Sequence, residues 1–423
     1  MVIMEKIYDI SQLDLSSYVR HGDRVVWGQA QAEPITLTQN LIQNRKKIGK
    51  FKVFLGISQF PTCLPEYSEH VEYLSYCGAG HNRTLAQHQV LDIVPVHYSQ
   101  LPRLIENQQL KLDVVLIQVS AANAQGQYSY SLAQDYLKSA LRHARIVIAE
   151  VNQQAPWVYS DQYLTEADFD VMVYTDRKIE AQPSADHSAT TQKIAQNVAS
   201  CIPDHSTLQL GIGSIPEAIM QALDQHQHLG IHSGIIGDGV AELMQKGVIT
   251  NQKKNIDPGK TITGLIVGSS KLHQFVHQNS GIELRSTEYT HHAATLAAIQ
   301  QFIAINSAIE VDLTGQVNAE IANKTYVGAV GGALDFIRAA NQSHGGVSII
   351  ALSASGKSFS RIVSKLQGPV STPRSDAGLI VTEYGIADLR GLSLSQRVEK
   401  MISIAAPDFQ AELEQQAIDL KLV

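Results

Sequence analysis

Near the centre of the chain, Gly211-Ile212-Gly213-Ser214 separates a run that alternates as a strand, Thr207–Leu210, from one with Ile215, Ala218, Ile219, Ala222 and Leu223 at helical spacing. The two glycines free the backbone for a tight turn and for close approach of a ligand. The first amides of the helix and the positive end of its dipole then face whatever stands above the turn, so the chemistry is the holding of a phosphate or carboxylate. Ser214 followed by Glu217 has capping-box spacing, with Pro216 in the first turn. Strand, glycine and helix also meet in this way where no ligand binds, and these residues alone leave both readings open. A second glycine group, Gly328, Gly331 and Gly332 in GAVGGALDFIRAA, again precedes a helix and is either a close-approach surface or a tightly packed turn. Three carboxylates stand out: Glu33 ends the first strand region in GQAQAEP, where α/β proteins gather their sites, Glu288 precedes His291-His292 in RSTEYTHH, and Glu383 ends LIVTEY. Two of them also have a structural reading: Glu33 as an acid favouring a helix start, Glu383 as a buried ion-pair partner. His273 and His277 have metal-ligand spacing on a helix but no third ligand, and are expected on a solvated face.

The elements that position these residues alternate. Buried-strand patterns are expected at 23–28, 52–55, 71–74, 91–94, 114–119 and 146–150, with helices at 99–107 and 131–142. This is the pattern of an α/β fold with mainly parallel sheets covered by helices. Gly28 lies six residues before Pro34, and Gly211 five before Pro216, so strand, glycine, turn and proline-started helix occur twice, as in two similar open α/β domains. The polar, turn-forming stretch 180–192, EAQPSADHSATTQ, places the boundary between domains 1–185 and 186–423.

The blocks GIGSIPEAI, LGIHSGIIGDGVAELMQKGVITN, VDLTGQVNAE, GAVGGALDFIRAA and VTEYGIADLRGLSLSQR resemble the acetyl-CoA hydrolase/transferase family, the glutamate-dependent CoA transferases of short acyl-CoA thioesters. The likeness is close in the C-terminal half and looser in the N-terminal half, through GDRVVWGQAQAEP and VIAEVNQQAPWVYSD. It implies a CoA-transferase fold, CoA as a substrate carrier with no permanently bound cofactor and no metal, small carboxylic acids as partners, and a homodimer. It assigns CoA to the turn Gly211, Ile212, Gly213 and Ser214 and to Gly328, Gly331 and Gly332, and the acyl substrate to His232, Ser233 and Gly234. The family's nucleophilic glutamate would follow the His-Ser pair, where this chain has Gly234. A family lysine that helps hold CoA would fall at Val347, leaving Lys357, Arg361 or Arg374 to compensate.

Transfer needs a carboxylate to attack the thioester, so three readings follow. Another carboxylate, Glu288 first, takes over and the protein is a CoA transferase. Alternatively Glu288, Glu33 or Glu383 activates water in a thioester hydrolase, or the protein binds CoA without turnover.

Composition narrows the setting. A net charge of −7 over 423 residues, with acids and bases mixed, points to neither nucleic acid nor an anionic membrane as main partner. Three dispersed cysteines, Cys63, Cys77 and Cys201, fit a reducing cytoplasm, and no stretch has the apolar length of a signal or a membrane span.

Overall fold

The computed structural model describes residues 4–182 and 188–422. The boundary expected between residues 185 and 186 lies outside the described residues. The chain gathers into two compact units, one of Met1–Pro183, Thr263–Thr290 and Thr325–Gly331, the other of Ser184–Ile262, His291–Lys324 and Gly332–Val423. Backbone pairing draws the two later stretches into the first unit: Gln134 N–H donates to Gly264 O at 3.0 Å, Gly78 N–H to Gly328 O at 2.8 Å and Tyr98 N–H to Gly331 O at 3.0 Å.

The first unit is built on an eight-stranded sheet in the order Glu5–Ile7, Val171–Thr175, Ile146–Asn152, Val114–Val119, Arg24–Trp27, Phe51–Leu55, Val71–Ser75, Leu91–Ile93. Every pairing in it is parallel. All six residues of Val114–Val119 are buried, as a strand covered on both faces requires, which is why its sequence, VVLIQV, is mostly apolar rather than an alternation. One face packs Val25, Trp27, Leu37, Leu41, Val53 and Leu116 into a common core. Full burial of such side chains stabilises by roughly 1.5–3 kcal/mol apiece before the entropy of ordering is subtracted.

In the second unit the strands run Gly385–Asp388, Leu379–Thr382, Val347–Ala351, Phe302–Ser307, Thr207–Leu210, Gly230–Ile236, parallel except for the hairpin between the first two. Arg24–Trp27 and Thr207–Leu210 hold the same place in their sheets. Each has the next strand in sequence on one side and a later strand on the other, which makes its carboxyl end a topological switch point. The mainly parallel α/β architecture expected from alternation is the one that forms.

One expected helix needs revision. The helix expected over 131–142 is confined to Leu137–His143. Ser131 and Asp135 have φ of 61° and 22°, outside the right-handed helical region, and Ala133 bridges Leu265 instead. Tertiary pairing has overridden helix spacing there.

Candidate active site

The glycine turn forms as expected, without the expected cap. The helix Ser214–Ala222 begins at Ser214, its N-cap is Gly213 with φ of 115°, and no side chain caps it. Glu217 turns instead toward the next helix, Asp238–Gln245, where its Oε2 accepts Gly239 N–H at 3.3 Å. Burial, with Asp238 nearby, raises the Glu217 pKa above the usual carboxylate range. A Cβ added at Gly211 or at Gly213 would meet nothing within 4 Å. Packing therefore does not explain Gly211, and the space above the turn is open. Beside it, Leu210, Gly211, Glu217, Ser233 and Gly237 line a hollow of about 10 Å³, room for about one water.

The His232-Ser233-Gly234 sequence lies within the strand Gly230–Ile236, so its side chains alternate between faces. Ser233 faces the turn: its hydroxyl donates to Leu210 O at 2.9 Å and accepts Leu210 N–H at 3.4 Å. Gly234 faces the other way, onto His291. A Cβ at Gly234 would stand 2.8 Å from His291 Cε1 and 3.0 Å from its Nε2. A Cβ at Gly332 would stand 2.5 Å from the same Nε2 and 2.7 Å from Cδ2. The imidazole thus occupies the space that side chains at both positions would need. Its ring centroid is 4.5 Å from that of Phe336, which packs with Leu296, Ile299, Phe302 and Ala340. Only 4% of His291 is exposed, and burial lowers its pKa from 6.5 to about 3, so the ring is neutral at physiological pH. Two glycine sites that are 98 residues apart in sequence meet at one histidine. Sequence reasoning noticed His291 only as a neighbour of Glu288. The signal that would have found it is the pair of glycines, legible only once their contact is known.

Gly328 and Gly331 belong to the first unit, where their carbonyls accept Gly78 N–H and Tyr98 N–H. Gly78 comes so close to this loop that a Cβ there would lie 2.2 Å from Tyr326 O. Tyr98 leads to a buried network that sequence reasoning missed. Gln29 Nε2 donates to Tyr98 Oη and to Asp135 Oδ2, each at 2.7 Å, and Gln29 Oε1 accepts Tyr76 Oη–H at 2.8 Å. Burial pushes the Asp135 carboxyl up to about 6.

The three candidate carboxylates sit in separate networks. Glu33 is buried, and its Oε1 accepts the hydroxyls of Thr62 at 2.6 Å and Thr38 at 2.9 Å. Burial raises its pKa to about 7, against the lowering effect of those hydroxyls and Arg177. Glu288, on the short helix Thr287–Thr290, accepts Ser139 Oγ–H at 3.1 Å and Ser286 Oγ–H at 3.2 Å, with Arg142 Nη1 3.9 Å away. Its side chain is 31% exposed. Glu383 occupies the turn of the hairpin and accepts Ala354 N–H at 2.9 Å.

Two further expectations meet their geometry here. Val347 opens its strand, level with Ile303 and hence at the amino end of the sheet, whereas the glycine turn is at the carboxyl end. Lys357 is exposed in the loop that follows the carboxyl end of that same strand. The solvated face expected for His273 and His277 does not form as such: His273 is buried with Nε2 3.2 Å from Gln31 Oε1, and His277 Nδ1 accepts Trp157 N–H at 3.0 Å. Among the described residues no group of three or more His, Cys, Asp or Glu is placed to hold a metal ion, and no helix is long and apolar enough to cross a membrane.

The mainly parallel sheets with glycine turns at their switch points are those of an α/β protein, and its likeness to solved structures makes the fold of the CoA-transferase type. Residues 5–182 match the acetyl-CoA hydrolase/transferase N-terminal domain, and residues 268–417 match the C-terminal domain. The chain belongs to the acetyl-CoA hydrolase/transferase family. It is 35% identical over 404 residues to the 4-hydroxybutyrate coenzyme A transferase of Clostridium kluyveri, with 94% of each chain covered. Over 410 residues it is 32% identical to the succinyl-CoA:acetate/propanoyl-CoA:succinate CoA transferase of Fasciola hepatica, covering 95% of this chain and 86% of that one. Among solved structures, RipA from Yersinia pestis superposes with a TM-score of 0.92 at 29% identity, covering 97% of this chain and 96% of that one. The 4-hydroxybutyrate CoA-transferase from Porphyromonas gingivalis gives a TM-score of 0.84 at 32% identity, with 98% of each chain covered.

Proposed function

We propose that this protein transfers CoA between a short acyl-CoA thioester and a small carboxylic acid. The observation that carries the reading is similarity along nearly the whole chain to proteins named as CoA transferases, at 28–35% identity in five of them. The open glycine turn supplies the matching chemistry: Gly211, Ile212, Gly213 and Ser214 hold the CoA phosphates by backbone amides. Gly328, Gly331 and Gly332 approach the cofactor's chain, and His232, Ser233 and Gly234 form the strand that meets the acyl group. CoA itself is the substrate carrier. The reading includes a cytoplasmic homodimer.

With glycine at 234, the attacking carboxylate lies elsewhere, and Glu288 is our assignment. Unlike Glu33 it is partly exposed, and two hydroxyls and Arg142 orient it. Its oxygen adds to the thioester carbonyl and CoA thiolate leaves with the sulfur electron pair, giving an acyl-glutamyl anhydride. The thiolate then attacks the glutamyl carbonyl, releasing the donor as its carboxylate and leaving a glutamyl-CoA thioester, which the acceptor acid opens by the reverse sequence. Glu33 and Glu383 are the alternative carboxylates.

Incubation with acetyl-, propanoyl-, butyryl- and succinyl-CoA, borohydride reduction and mass spectrometry test this. Reduction marks whichever glutamate carried CoA, and a mark on Glu288 is expected. A mark on Glu33 or Glu383 keeps the transferase and moves the nucleophile, and free CoA without a mark makes the protein a thioester hydrolase.

A further inference from the structure

We propose that Asp135 is a positioning residue for Glu288: from one buried place it holds both the helix that carries Ser139 and Arg142 and the short helix that carries Glu288. The proposal rests on the CoA-transfer reading and on Glu288 as its nucleophile.

Asp135 is 2% exposed and reaches two elements of the first unit through different atoms. Its carboxylate Oδ1 accepts Leu137 N–H at 3.0 Å, at the start of the helix Leu137–His143. Its backbone carbonyl accepts Thr287 N–H at 3.1 Å, and the residue bridges Ser286. Those two segments supply the groups that orient Glu288. Ser139 and Arg142 approach its Oε1 from one, and Ser286 approaches its Oε2 from the other. A shift of either segment by about 1 Å takes a hydroxyl out of hydrogen-bond reach. Misplacement on that scale costs a reacting group roughly a hundredfold in rate.

The second carboxylate oxygen fixes Asp135 itself. Gln29 Oε1 accepts Ile57 N–H at 3.0 Å, and a backbone amide can only donate, so Gln29 Nε2 is the atom that faces Asp135 Oδ2, at 2.7 Å. A Cβ on Gly56 would lie 2.6 Å from Gln29 Cβ and 2.7 Å from its Oε1, so packing also holds the glutamine. Both oxygens of Asp135 therefore meet donors, and a proton on either one displaces a hydrogen bond. The φ of 22° at Asp135 is costly for a residue with a side chain, and these bonds hold the backbone there. The titratable groups that face the carboxylate are the phenols of Tyr76, Tyr98 and Tyr136, which burial keeps protonated. Charged side chains on the two segments pair elsewhere, Lys138 with Asp161 and Arg142 with Glu288. Burial raises the Asp135 carboxyl to about 6, so the arrangement is complete above that pH and is lost as pH falls through it.

The test measures transfer by the donor and acceptor pair from the panel above that turns over fastest, with the borohydride mark read in the wild type. Asp135→Asn keeps an acceptor for Leu137 but sets an amide N–H against Gln29 Nε2, and is expected to lower kcat by about 10–100-fold with donor KM little changed. Adding Gln29→Glu turns the pair round, donor to acceptor, and still accepts Ile57 N–H, so it is expected to bring kcat back to within about tenfold of wild type. Wild-type kcat/KM should fall as pH drops through about 6, and in Asp135→Asn that fall should move to lower pH. A folded Asp135→Asn with wild-type kcat, an unmoved acid limb in it, or no rescue by Gln29→Glu overturns the proposal and leaves the transferase standing. If Asp135→Asn does not fold, a wild-type profile that is flat down to about pH 5 overturns it. Wild-type protein inert on the whole panel overturns the CoA-transfer reading itself, and a borohydride mark on another glutamate overturns the nucleophile on which this proposal rests.

Discussion

The Cε1 of His291 lies 2.8 Å from the point where a Cβ on Gly234 would stand, so these two positions are one choice made twice. A residue with a side chain at 234 requires a smaller one at 291. Gly234→Glu alone is expected to destabilise by about 1–3 kcal/mol through overpacking. Adding His291→Gly should recover much of that loss, because neighbours that share one space are not additive. Denaturant unfolding of the two single variants and the double variant measures the coupling, and additive effects would show that the side chains do not compete.

Gly211 and Gly213 separate ligand contact from backbone strain. Gly213 has φ of 115° and caps the helix, whereas Gly211 has no such requirement and no neighbour within 4 Å of an added methyl. Gly213→Ala should cost about 1–3 kcal/mol of stability. Gly211→Ala should leave the melting temperature unchanged and weaken CoA binding, measured by calorimetry, because the methyl enters the space where phosphate approaches. Unchanged CoA affinity in Gly211→Ala would remove the turn from the site.

Glu33 gives the first unit a pH dependence with a defined sign. Its pKa rises from 4.5 to about 7 on folding, so between these values the native state holds more protons than the unfolded state. Its contribution is fully present below about pH 4.5 and is lost as pH rises through 7, to a total of roughly 3 kcal/mol. Glu33→Gln retains the neutral shape, so the stability difference between variant and wild type should grow in favour of the variant from pH 5 to pH 8. His291, whose pKa falls from 6.5 to about 3, acts oppositely: its contribution is lost as pH falls below 6.5. Comparing variant with wild type at each pH isolates the glutamate, and parallel pH profiles would show that Glu33 ionises normally.

We propose that Lys357, rather than residue 347, supplies a phosphate-neutralising charge. Val347 opens its strand at the amino end, while Lys357 follows the carboxyl end, the edge that carries the glycine turn. Lys357→Ala is expected to weaken CoA affinity by about three- to tenfold, the scale of one partly exposed charged contact. Val347→Lys should leave affinity unchanged, and a gain in that variant would reverse the assignment.

Much of the architecture could be read from the chain because the signals are local. Short runs such as Val114–Val119, apolar except for Gln118 and rich in β-branched residues, read as strands buried on both faces, and glycine followed by proline marks where strand gives way to helix at Gly28 and Gly211. Resemblance of whole motifs carried the family, and it exposed the absence of a glutamate at position 234. Tertiary structure decided the rest, for reasons no local pattern encodes. The segment 131–136 has helical spacing but pairs with 264–266, since satisfying buried backbone amides outweighs propensity. Glu33 and Glu288 look alike as carboxylates in sequence; burial makes one a hydrogen-bonded acid of pKa about 7 and leaves the other partly exposed beside Arg142. His291 meets Gly234 and Gly332 across 57 and 41 residues of chain, and only the packing of strand, loop and helix brings that imidazole into the space of the missing side chain.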